Sequence, residues 1–172
     1  RAGKPCSKNR KGGDSTLTSY AALIGRMRQE QGDLDRLVSR AETLMNKAKA
    51  TGDDGYLDGV ALNLHGFYTG VERIFEDIAR RIEEDAPSGS DWQKRLLMQM
   101  SAEIPDVRPP VICPETRDCL ENYRAFRHIV RNVYAFNFQY SRVSELTGCL
   151  RDCHKKVVAD LEAFGHFLTA LG

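Results

Sequence analysis

From Leu17 the apolar positions fall at Tyr20, Ile24, Met27, Leu34, Val38, Ala41, Met45 and Ala48. The steps alternate between three and four once Gln31 is counted, which predicts one long helix with a narrow seam. Thr51-Gly52-Asp53-Asp54-Gly55 interrupts the pattern. A second stripe then follows through Leu57, Val60, Ala61, Leu64, Tyr68, Val71, Ile74, Phe75, Ile78 and Ile82, with Gly59, Gly66 and Gly70 permitting close contact with a neighbouring helix. Ala86-Pro87-Ser88-Gly89 predicts a turn, and Ser90-Asp91-Trp92-Gln93 a capping box opening a short helix to about Ala102. Pro105, Pro109, Pro110 and Pro114 predict an irregular loop, with Pro114 suited to the first turn of a fourth helix. After a break near Asn137 to Ser141, a last helix keeps its spacing through Val143, Leu146, Leu150, Cys153, Val157, Leu161, Phe164 and Leu168. No segment alternates at period two over a strand's length. The expectation is an all-α, up-and-down helical bundle of about five helices.

Composition narrows this picture little. At 172 residues, 41% hydrophobic and 28% charged, the chain suits one domain with its own core, and no apolar run approaches the ~20 residues of a membrane span. The net charge of +1 conceals a basic start: Arg1, Lys4, Lys8, Arg10 and Lys11 precede the first acid, Asp14. The remainder holds 20 basic against 24 acidic side chains. Bulk charge therefore argues for no nucleic-acid partner, and such a role must rest on a local patch. Residues 1–15 are expected to form a disordered basic tail ahead of a helical domain over 16–172. A basic start without an apolar stretch is no secretory signal, and five irregularly spaced cysteines suit free thiols, so a cytoplasmic setting is expected.

The chemistry is concentrated on the fourth helix, in Tyr123-Arg124-Ala125-Phe126-Arg127-His128-Ile129-Val130-Arg131-Asn132-Val133-Tyr134. Residues seven apart return to one azimuth, so Arg117, Arg124 and Arg131 line one flank, with Arg127 and Tyr134 in a parallel row. Arginine forks can grip phosphates, and Tyr123 or Tyr134 could stack on an unpaired base, the outline of a single-strand RNA surface. The plainer reading pairs Arg117 and Arg124 with Glu121 within the helix. Arg127 differs, because it shares the apolar row of Tyr123 and Val130 and must be paired or face a shared groove.

This run resembles the signature of the HEPN superfamily, and within it the HepT-like ribonuclease toxins, in which an arginine is followed by four residues, a histidine, one residue and a tyrosine. Here Arg127 and Tyr134 match, and Asn132 stands at the histidine position. The resemblance implies a homodimer whose two copies build one composite cleft, a metal-independent endoribonuclease without cofactor, and an RNA substrate that is single-stranded or looped. It further implies a toxin–antitoxin module in which an MNT-type nucleotidyltransferase antitoxin neutralises the toxin by adenylylation of Tyr134. Bulk and negative charge beside the arginines would exclude RNA.

Metal-free RNA cleavage needs a base for the 2′-hydroxyl proton and a cation for the phosphorane charge. Arg127 suits the second task. Asn132 cannot act as the base, although it can position a phosphate. Three readings are open: a weakened or inactive nuclease, cleavage by positioning and electrostatics alone, or His128 as base, one turn before Asn132 and one turn after Arg124. The alternative functions are a catalytically inactive HEPN module that binds RNA or scaffolds a nucleotidyltransferase, and a plain interaction protein using the Leu17 to Ala48 seam as a dimer surface.

Cys149, Cys153 and His154 have no matching second ligand pair, so buried free cysteines are expected in place of a zinc site. His65 and His166 are expected to be packing or surface residues. Met27, Met45, Met98 and Met100 are expected to fill the core.

Overall fold

The computed structural model describes residues 12–132 and 138–171, with side chains described over 20–130 and 138–171. Five α-helices follow in order: α1 (Gly12–Thr51), α2 (Gly55–Ile78), α3 (Trp92–Met100), α4 (Pro114–Asn132) and α5 (Tyr140–Ala170). The all-α bundle predicted from periodicity is the fold observed, with an isolated bridge between Ile104 and Arg108 rather than a strand among the described residues. Helix α1 begins at Gly12, four residues ahead of the boundary the basic tail suggested.

Local chemistry fixes the joints. Gly52, at φ 70°, ends α1 in the left-handed conformation that glycine adopts without strain, its N–H donating to Ala48 O over 2.9 Å. Asp53 Oδ1 accepts from Gly55 N–H at 2.9 Å and starts α2. That helix continues through a wider π-type turn, Ala79–Glu83, closed by Glu84 in the left-handed region. The predicted capping box at Ser90 does not form. Helix α3 starts at Trp92 with Asp91 at the N-cap and no side-chain cap bond, so Gln93 falls one position short of where a reciprocal cap would reach. Pro114 opens α4 as expected.

The core lies where α1 and α5 clasp α2 and α4. Leu34, Val38, Ala41, Leu64, Phe67, Val71, Leu120, Leu150, Val157 and Leu161 are all buried within the chain. The α1 seam from Leu23 to Ala48 is consumed in this core, which removes the reading of that stretch as a dimer surface. Leu23 takes the core position expected of Tyr20 and Ile24, which are half-buried. Met98 is a second departure, at 50% exposure, while Met27, Met45 and Met100 do fill the core.

Two contacts were not legible in the periodicity. Arg108, from the proline-rich loop, is buried with Glu83, its Nε 2.7 Å from Oε1, and it also donates to the carbonyls of Gln99, Ala102 and Pro109. Cys119 on α4 is joined to Cys153 on α5 as a disulfide, correcting the expectation of free thiols at these positions. The helices bring the two Cα atoms within 6.0 Å, inside the range a bridge spans. Cys113 and Cys149 are free.

Candidate functional site

Helix α4 crosses α2 so that the signature row meets the polar residues of the α2 stripe. Arg127 points across this junction: its Nε donates to Thr69 Oγ1 at 3.3 Å, and its Nη2 lies 3.3 Å from Glu72 Oε2. Glu72 is buried, whereas the Arg127 side chain keeps 14% of its surface exposed. Of the two alternatives its place in an apolar row left open, the arginine meets the first: it is paired, with a small part of its side chain still exposed.

Arg124 lies one turn earlier and binds Glu121 through both forks, Nε to Oε2 at 2.7 Å and Nη2 to Oε1 at 2.6 Å. That bond holds the Glu121 carboxyl below the usual carboxylate range. Arg117 pairs with Asp118 at 2.7 Å, not with Glu121. Tyr68 of α2 feels both arginines: it is a buried phenol raised far above its ordinary value, first by burial and then by the charge of Glu72, while Arg124 and Arg127 pull it back. It stays protonated at any physiological pH. Tyr68, Glu72, Arg124 and Arg127 therefore form one electrostatic cluster across α2 and α4.

The remaining candidates divide. His128 is exposed, next to Arg127 and beside Ile129, itself 42% exposed. It is no core histidine. Tyr123 is corrected: it cannot stack on a base, because its ring is buried edge-on against Phe67 with centroids 5.4 Å apart, and its hydroxyl donates to Leu146 O at 2.8 Å. Arg131 and Asn132 close α4, their side chains lying outside the described residues, as does Tyr134 altogether. His154 and Cys153 pack in the core and Cys149 is exposed, so these three do not converge. Among the described residues no group of His, Cys, Asp and Glu has the arrangement to hold a metal ion.

The profile of the HepT-like protein family matches residues 59–168, well over half of the chain. The chain belongs to the HepT-like family. The match runs from within α2 to within α5, including the Arg127–Glu72 junction that the HEPN-like bundle assembles. No curated protein and no solved structure matches this HepT-like chain significantly. Among the described residues no helix is long and apolar enough to cross a membrane.

Glu72 and Thr69 are the partners of Arg127 that periodicity missed. Their signal was present: Glu72 follows Leu64 and Tyr68 at four-residue steps and precedes Phe75 by three, so a carboxylate stands in the apolar row of α2 as a guanidinium stands in that of α4. Two opposite charges, each misplaced in its own stripe, mark where the helices meet.

Proposed function

We propose that this HepT-like protein is the toxin of a HEPN/MNT-type toxin–antitoxin pair, a homodimeric, metal-independent endoribonuclease acting on single-stranded or looped RNA. The observation that carries this reading is Arg127, a guanidinium held by buried Glu72 and half-buried Thr69 in a side chain that stays partly exposed. A cation so anchored needs little reorganisation to receive the charge that develops on a phosphorane. Arg124 would add a second fork for an adjacent phosphate. His128 is the base this reading favours, since its exposure gives it access to a 2′-hydroxyl and an imidazole is the side chain most often used as a general base. Asn132 would orient the phosphate, and Tyr134 would receive AMP from the partner nucleotidyltransferase and close the site by bulk and charge.

The test is cleavage of a single-stranded RNA by the purified protein beside Arg127→Ala, His128→Ala and Asn132→His. Loss in both alanine variants, with gain in Asn132→His, is expected. Equal cleavage by wild type and Arg127→Ala would remove the site. Incubation with an MNT-type partner and ATP should add the mass of AMP to Tyr134 and abolish cleavage.

A second reading keeps the fold and drops the chemistry: a HEPN module that binds RNA or scaffolds a nucleotidyltransferase. Asn132 at the histidine position favours it. RNA binding without cleavage in every variant would select it.

A further inference from the structure

Two depressions open on the seam between α1 and α2 and meet at Glu30 and Arg73. Together they bring Arg26, Arg36, Arg40, Arg73, Arg80 and Arg81 to one groove, against four carboxylates. The excess of two positive charges is local, since the chain beyond its basic start is net acidic. No lysine lines either depression.

The carboxylates leave many of these guanidinium donors uncommitted. Asp77 is shared by Arg26 and Arg81, Glu76 takes Arg80, and Asp33 takes Arg36. Arg73 is 69% exposed and only loosely paired, 3.5 Å from Glu30. Arg40 is exposed and pairs with no described carboxylate. Arg26 spends its Nε on Asp77. An arginine has five donors in a planar fork, so a cation bound once to a carboxylate can still clasp a phosphate oxygen.

The groove touches the Arg127 centre at Thr69, which lines its wall and is the same hydroxyl that accepts from Arg127 Nε. From Gly66 to Arg80 the α2 wall extends about 20 Å, room for a strand of a few nucleotides. We propose that this arginine-lined seam is the track on which single-stranded RNA lies as it leaves the Arg127 centre. The inference rests on the RNA reading of that centre and extends it: the substrate is a strand long enough to occupy the groove, held by its phosphates. An acidic protein segment would meet the same charge, but the continuity through Thr69 to a phosphate-directed arginine favours RNA.

The test uses fluorescent 2′-fluoro oligouridylates, which lack the attacking 2′-hydroxyl, of about 4 and about 12 nucleotides, and a polyglutamate peptide matched in length to the longer strand. Arg40→Glu/Arg73→Glu should bind the longer strand about tenfold more weakly, with the slope of log affinity against log salt reduced by about 1.4, and bind the shorter strand as wild type does. Should the charge reversal lower the melting temperature, Arg40→Ala/Arg73→Ala gives the same comparison with a smaller effect. Unchanged binding of both strands, or equal loss on both, would overturn the track and leave the Arg127 centre standing. Polyglutamate bound as tightly as RNA and lost in the same variant would overturn it in favour of an acidic protein. Failure of wild type to bind either strand would overturn the RNA reading of Arg127, and this inference with it.

Discussion

The carboxylate of Glu72 on α2 lies 3.3 Å from the guanidinium of Arg127 on α4, so the signature arginine is aimed by a neighbouring helix rather than by its own. A carboxylate this deeply buried is costly unless a cation answers it, and an arginine in an apolar row is costly unless a carboxylate does. Each residue explains the other's presence. Glu72→Gln and Arg127→Met should each destabilise the fold by about 1–3 kcal/mol, and the double variant by less than their sum. Urea unfolding of the four proteins checks this; strict additivity would show that the pair does not interact.

The buried pair of Arg108 and Glu83 should matter more for stability. The Arg108 side chain is wholly enclosed and its donors are spread over one carboxylate and three carbonyls, so removing it strands a buried anion. Arg108→Met is expected to cost about 3–5 kcal/mol, and Arg108→Met/Glu83→Met to recover part of that loss. Chemical denaturation reads both. A single variant as stable as wild type would mean that the proline-rich loop is not fastened through this side chain.

His154 gives the fold a pH dependence of definite sign. Burial holds its imidazole below the ordinary value and Arg151 pushes the same way, against the pull of Asp35 and Glu42. Its Nε2 is buried without a hydrogen-bond partner, and its ring meets Phe67 edge-on. Above about pH 6.5 both folded and unfolded chains carry it neutral; on acidification the unfolded chain takes up the proton first, so stability falls as pH drops through that value. His154→Leu should flatten the melting temperature between about pH 7.5 and 5.5 relative to wild type. Parallel pH profiles for the two proteins would contradict this account.

The fold was legible because each helix writes its buried face at helical spacing: Leu34, Val38, Ala41 and Met45 on α1 and Leu150, Cys153, Val157 and Leu161 on α5 were all named by periodicity and are all buried. The site was only half legible. Arg127 stood out as a charge in an apolar row, but periodicity along one helix says nothing about which residue on another will face it, and so Glu72 and Thr69 went unnamed. Tyr123 failed for the complementary reason. An aromatic residue at a helical step can stack on a base or pack on Phe67, and the sequence does not distinguish the two until the neighbouring helix is in place. Arg108 belongs to a loop without periodicity, where burial leaves no pattern to read.

Gly70 sits between Thr69 and Glu72, and a Cβ there would come within 2.7 Å of the buried Leu34 side chain of α1. The absent methyl lets Leu34 wedge against the α2 backbone at the level of the two residues that grip Arg127. The spacing between α1 and the α2 segment that holds that guanidinium is therefore set by an aliphatic contact, and a larger residue at position 70 would disturb the Arg127 pair without touching any polar group.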